Sequence, residues 1–349
     1  MTPRDADTLV MARPERGAIA LDRRALPAIG PDDALIRVRR AGICGTDLHI
    51  VSWNAWAAGS YVPPVALGHE FCGEVVERGR DVTRLEPGDL VCAETHIACG
   101  TCSQCRRNRR HTCLDLRVFS KLGRGCFAEY TVVPQQALRR VPPAIPLDRA
   151  AVMEPFGIAL RAVMEADLRV ESFFVVGCGP TGLFAVAAAR ALGAGRIIAA
   201  DPLPFRRDLA LAVGADAAID PQAGAYDRQV AALTQGEGVA VALDTSGHPP
   251  AIRDALACLS PGGTMFLIGL PSKDVAFDLA RQVVLRETSL RGLYGRRIDE
   301  TWMAAEKLLA SPSLRIEPIL THHFPLAAFD EAFATAQSGQ AGKVLFRFD

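Results

Sequence analysis

Gly177-Cys178-Gly179-Pro180-Thr181-Gly182 lies between an apolar run, Phe173–Val176, and an alanine-rich stretch, Gly182–Leu192. This placement constrains the fold more than any other feature of the chain. A Gly-x-Gly-x-x-Gly alone is weak, but between a strand and a helix it reads as the turn of a dinucleotide-binding unit. Its first glycine makes the turn, the second admits a pyrophosphate to the backbone, and the third lets helix and strand pack closely. The loop then opens the helix, and the free N–H groups at that helix's N-terminus face the phosphates. Asp201 closes the next strand about 20 residues beyond the third glycine, where a carboxylate accepts the adenine-ribose hydroxyls and repels a 2′-phosphate. NAD is thereby favoured over NADP, although Arg206 and Arg207 stand where such a phosphate is held. The competing reading is a flexible turn followed by a helix-capping Asp.

The rest of the chain agrees with a doubly wound α/β unit. Strand patterns at Phe173–Val176, Ile197–Ala200, Val239–Asp244 and Thr264–Gly269 alternate with helix patterns at Arg206–Val213 and Ile252–Leu259. Apolar strands in such alternation imply a parallel sheet covered on both faces. Before Glu171 the pattern is one of short strands and turns, as at Ala34–Val38 and Phe71–Val76. After Tyr294 come two helix patterns, Glu300–Ala310 and Leu326–Ser338, and a last strand, Val344–Phe348. A chain of 349 residues exceeds what one core serves. The division expected is 1–155, 156–295 and 296–349, with the last segment returning to the first domain.

Cys99, Cys102, Cys105 and Cys113 are separated by two, two and seven residues. Four thiolates on tight turns complete a closed tetrahedral zinc site. An iron–sulfur cluster shares the first two spacings, but the fourth cysteine is distant and no proline follows it. The formal net charge is zero, which disfavours nucleic acid and anionic membranes as partners. No apolar run reaches the ~18–20 residues of a membrane span. Charges at Arg4, Asp5, Asp7 and Arg13 interrupt any signal-peptide core in Met1–Arg16. A cytoplasmic protein is expected, in which ten cysteines serve as ligands and buried thiols rather than bridges.

A second set of candidate ligands is scattered: Cys44, His69 with Glu70, and Glu154. A catalytic zinc wants about three protein ligands and one open position. Each of these residues alone is as readily structural.

With these motifs in place the chain resembles the zinc-containing medium-chain alcohol dehydrogenases over nearly its whole length. Gly68, His69, Glu70, Gly73, Gly79 and Val82 meet that family's zinc signature, and the four cysteines meet its structural-zinc lobe. The resemblance implies a GroES-like β-rich catalytic domain, a Rossmann domain, two zinc ions per chain and a dimer or tetramer. It implies that Cys44 and His69 bind the catalytic metal, that Glu154 supplies a further ligand, and that Glu70 sits behind the metal and ligates it in some states. Zinc with an open position lowers the pKa of a substrate hydroxyl, and nicotinamide accepts the hydride. Thr46 would bond the reacting oxygen and His49 would pass the proton outward. An ordinary surface histidine is the plainer reading of His49.

Several segments resemble the L-threonine 3-dehydrogenase branch. They are Cys44–Ile50, Trp53 with Trp56, Glu94–Gly100, Ser246–Pro250, Leu293–Arg296 and Ser338–Val344. Trp53, His96, Lys121 and Tyr294 are candidate substrate contacts, with packing as the alternative for the tryptophans and a structural role for His96. Two departures stand out: Ile158 replaces the branch's asparagine, and Arg117–Arg124 replaces a Gly-Val-rich stretch. The expected reaction is oxidation of the 3-hydroxyl of threonine or a related 3-hydroxy amino acid. The alternatives are a polyol or more anionic hydroxy compound, or a non-catalytic protein that retains only the fold.

Overall fold

The apolar segments after Glu171 assemble into a six-stranded parallel sheet. Its order is Ala217–Ile219, Ile197–Ala200, Phe173–Val176, Val239–Asp244, Leu259–Leu267, Ser289–Gly292. The computed structural model describes residues 7–13, 18–166, 168 and 171–348. Phe173–Val176 and Ile197–Ala200 are buried throughout, as strands covered by helices on both faces must be. From Phe173–Val176 the chain winds outward one way, then returns to add Val239–Asp244 on the other side. This reversal opens a crevice at the carboxyl ends of the two strands, where doubly wound sheets bind ligands.

The expected elements are present with shifted ends. The helix expected over Gly182–Leu192 spans Pro180–Ala191, because proline suits the first turn and apolar spacing does not reveal a cap. The strand expected at Thr264–Gly269 is Leu259–Leu267, and the preceding helix is Pro249–Ala257. Strand pairing here jumps from Val239–Leu259 to Val241–Thr264, so Ser260–Gly263 form an irregularity that hides the early strand from an alternation pattern. Leu326–Ser338 is a 3-10 turn at Leu326–Ala328 followed by a helix over Phe329–Gln337.

The other large sheet is seven-stranded. Its main path is Leu138–Arg140, Leu90–Ala93, Glu70–Arg78, Asp33–Gly42, Val344–Arg347 and His322–Pro325, with Tyr130–Pro134 also pairing with Asp33–Gly42. Val344–Arg347 runs antiparallel to Asp33–Gly42, setting Leu345 opposite Gly42. The end of the chain thus closes the sheet its beginning opened, and Lys343 arrives beside Ile43. Between the two sheets, helix Met153–Ala166 packs on Pro180–Ala191, with Phe156 edge-on to Phe184 at 5.9 Å. The division expected at 155/156 falls within this helix. Arg4 and Asp5, part of the N-terminal targeting reading, lie outside the described residues.

Candidate active site

The four cysteines of the 99–113 lobe come together as their spacing predicts. Their sulfurs all lie within 4.8 Å of one another, and no cysteine is in a disulfide among the described residues. Cys102 Sγ is 3.5 Å from Cys105 Sγ and 3.8 Å from Cys113 Sγ. A tetrahedron with Zn–S near 2.3 Å has edges of about 3.8 Å. Backbone N–H groups point at the sulfurs: Cys99 N donates to Cys113 Sγ at 3.2 Å and Cys102 N to Cys99 Sγ at 3.4 Å. Backbone N–H bonds draw the Cys99 thiol down to about 6, led by that of Thr101, while burial pushes Cys105 up to about 12. The donors, spacing and polarity fit a closed structural zinc site.

Cys44, His69 and Glu70 form a second group, again with ligand atoms within 4.8 Å. Cys44 is the N-cap of helix Gly45–Ser52, and His69 and Glu70 stand where strand Glu70–Arg78 begins. Asp47, on the same helix, is fully buried; it accepts from Cys44 N at 3.0 Å and Gly68 N at 3.1 Å, so it ties the two segments together. Its Oδ1 lies 3.9 Å from His69 Nδ1, a buried nitrogen without a hydrogen-bond partner. Burial would pull the His69 imidazole down, but Cys44, Asp47 and Glu154 outweigh it and raise it to about 10. Such a clustering of thiol and carboxylates around one imidazole is an environment built for a cation. The donor set fits zinc.

Glu154 is not part of that tight group. Its Oε1 accepts from Thr95 Oγ1 at 2.9 Å and pairs with Arg296 at 2.8 Å. Burial would raise Glu154, yet Arg296 and His69 hold it below the usual carboxylate range. Arg296 is itself buried and also grips Glu94, with Nε to Oε2 at 2.7 Å. Trp302 Nε1 donates to Glu94 at 2.8 Å and His96 N at 2.9 Å. Glu70 faces a different cation, the buried ammonium of Lys343, which also donates to Ile43 O at 2.8 Å. Asp47, Glu94, Arg296 and Lys343 were not singled out as site residues in the sequence. All four stand in segments that resemble the threonine branch, and Asp47 also lies three residues after the candidate ligand Cys44.

The remaining candidates divide. Thr46 is half-buried on the turn after Cys44. His49 is exposed, with its Nδ1 accepting from Asn54 at 2.7 Å and its ring 5.4 Å from Trp56. His96 is half-buried, bonded to Glu94 and set edge-on to Tyr294 at 5.0 Å. Trp53 instead lies under Arg13 at 4.7 Å, a packing contact. Lys121 is exposed, 5.4 Å from the centroid of the Tyr61 ring.

The glycine loop lines a cleft of about 660 Å³ at the switch point of the parallel sheet. Gly177 has φ +89°, and a Cβ at Gly182 would lie 1.9 Å from Gly177 O, whereas one at Gly179 meets nothing within 4 Å. The second glycine thus leaves open the space a pyrophosphate needs. Asp201 is buried; its two oxygens accept from Cys178 N and Leu203 N, each at 2.9 Å. Arg206 lies 3.8 Å from it. Thr245, Ser246 and His248 also line the cleft.

A dinucleotide crevice in one chain with a four-cysteine group and a separate Cys–His–Glu group is the architecture of a zinc-dependent dehydrogenase. Family models agree: the alcohol dehydrogenase GroES-like domain matches residues 30–143 and the zinc-binding dehydrogenase model residues 180–311. The chain belongs to this family of zinc-binding alcohol dehydrogenases. Within it, the L-threonine 3-dehydrogenase of Bacillus licheniformis is 38% identical over 336 residues, 96% of this chain and 97% of the relative. An alcohol dehydrogenase of Thermus sp. ATN1 superposes with a TM-score of 0.88 at 32% identity, covering 97% of this chain and 99% of that one. A zinc-binding dehydrogenase of Sinorhizobium meliloti, bound to NADP, gives 0.90 at 28% identity, covering 98% and 100%. No helix among the described residues is long and apolar enough to cross a membrane.

Proposed function

We propose that the protein oxidises the 3-hydroxyl of L-threonine, or of a closely related 3-hydroxy amino acid, with NAD as hydride acceptor. The observation that carries the reaction class is the Cys44–His69–Glu70 group, a thiol, an imidazole and a carboxylate whose ligand atoms lie within 4.8 Å of one another and leave a tetrahedral ion one position short of a full shell. The substrate follows from the threonine dehydrogenase relatives matched over almost the full chain. A zinc ion held here would supply polarisation of the substrate hydroxyl, and NAD would supply the hydride acceptor. Cys44 and His69 hold the metal, and Glu70 or Glu154 completes its shell. Lys343 and Arg296 decide between the two carboxylates, since each is the counter-ion of one. The Thr46 hydroxyl would accept the proton of the reacting oxygen while giving its own to a cofactor ribose hydroxyl, and exposed His49 would take the proton from the ribose and release it to solvent. Gly177, Gly179, Pro180, Thr181 and Gly182 cradle the pyrophosphate, and Asp201 takes the adenine ribose.

The units that do this are 1–155 with 296–349 around the metals and 156–295 around the cofactor. A homo-oligomer is supported by the edge strand Ser289–Gly292, which has no outer neighbour among the described residues. Beside it Leu279, Val284 and Leu285 are exposed, an apolar surface that a second copy would cover. Ten free cysteines suit a reducing cytoplasm. The test is NADH formation by zinc-loaded enzyme with threonine, polyols and NAD or NADP. Threonine with NAD is expected to give the highest kcat/KM; turnover of polyols alone refutes the substrate. A more anionic hydroxy compound is the second reading, favoured by the exposed cation of Lys121.

A further inference from the structure

We propose that Lys121, seated on the face of Tyr61, binds the carboxylate of the substrate and makes this corner the anion-recognition subsite of the catalytic centre. The assignment rests on the reading of the substrate as a hydroxy acid. Strand Arg117–Val118 pairs antiparallel with His96–Ile97, setting Val118 opposite His96, and Phe119 N donates to Thr95 O at 2.9 Å. Thr95 is the residue whose hydroxyl bonds Glu154. Ser120 and Lys121 therefore turn off the same strand pair that carries Thr95 and His96. The Tyr61 hydroxyl lies 3.1 Å from Ser120 Oγ, Lys121 Nζ is 5.4 Å from the Tyr61 ring centroid, and Trp56 meets the Tyr61 ring edge-on with centroids 5.9 Å apart.

Charge makes this cation useful. Cys44, Asp47 and Glu154 all bear on His69 at the metal end of the site, so the carboxylate of a hydroxy amino acid is best met by a cation away from that end. Arg124, in the same segment, is committed to Asp33 at 3.0 Å. Lys121 makes no ion pair with any described residue and holds only the ring face, leaving its exposed ammonium free. A cation on an aromatic face is positioned without being neutralised. Ammonium on the flexible lysine stem suits a substrate that must enter and leave.

The test compares L-threonine with L-threonine amide, which has the same hydroxyl and no carboxylate charge, in zinc-loaded enzyme with NAD. Lys121→Ala is expected to raise KM for threonine about tenfold or more, 1.4 kcal/mol per decade. kcat stays within about twofold, as for loss of uniform binding. KM for the amide stays unchanged, Lys121→Arg restores discrimination, and Lys121→Glu inverts it. Equal effects on acid and amide, or no effect on either, overturn the assignment. A wild type inactive on threonine refutes the substrate reading instead; the same comparison is then made with 3-hydroxybutyrate and 1,3-butanediol. Wild-type preference for the neutral member of that pair overturns the subsite.

Discussion

Replacing Arg296 with methionine should destabilise the protein by about 3–5 kcal/mol, the cost of removing one partner from a buried ion pair. Methionine keeps much of the aliphatic stem, which packs where a Cβ on Gly157 would come within 2.5 Å of Arg296 Cδ, so the loss is chiefly electrostatic. Glu94 and Glu154 would remain buried at 1% and 11% side-chain exposure without their guanidinium. Thr95, His96 and Trp302 still donate to them, which keeps the cost from doubling. At about 2–4 °C per kcal/mol, the thermal midpoint should fall by roughly 6–20 °C. The pH dependence sharpens the test. In the native protein burial would raise Glu94, but Arg296 and His96 hold it well below the carboxylate range. Its pairing therefore stabilises above the unfolded value of about 4.3 and is lost as pH falls through the lower folded value. Without Arg296, burial raises both carboxylates, so the variant's penalty grows as pH rises through their new values. Urea unfolding of zinc-loaded protein at about pH 5 and pH 8 measures both. A penalty below about 1 kcal/mol refutes the reasoning. So does a penalty larger in acid, or one that Glu94→Gln in the same chain does not reduce.

Cys102→Ser should lower the thermal midpoint and bound zinc from two ions to one per chain, because structural zinc affinity is folding free energy. Cys44→Ser should lose the other ion and turnover with little change in midpoint; metal analysis beside calorimetry separates the cases. Asp201→Ser should raise KM for NAD about tenfold and narrow the preference over NADP, since Arg206 is released from a carboxylate 3.8 Å away. An unchanged NAD to NADP ratio would show that Asp201 does not face the ribose. Gly182→Ala places a methyl 1.9 Å from Gly177 O and should abolish NADH binding in a fluorescence titration.

The departures between sequence and structure share a cause. The helix begins at Pro180 and the strand at Leu259, ahead of where apolar spacing places them, because caps and bulges break that periodicity without changing composition. Trp53 and Trp56, three residues apart, read as a pair; a left-handed backbone at Trp53, φ 47°, sends them to different neighbours.

What the sequence alone determines is local. Cys99 to Cys113 are brought together by tight turns within one short lobe, and the glycine loop is a single strand–turn–helix junction. Covalent geometry over a few residues therefore dictates both. The charges behind the metal are decided only by the tertiary structure: Arg296 and Glu94 lie 202 positions apart, and Lys343 reaches Ile43 across 300. No spacing rule foretells which carboxylate each cation meets. Only the folded sheets, by expelling water from Glu70, Glu94 and Glu154, make an unpaired charge there too costly and so impose the pairing.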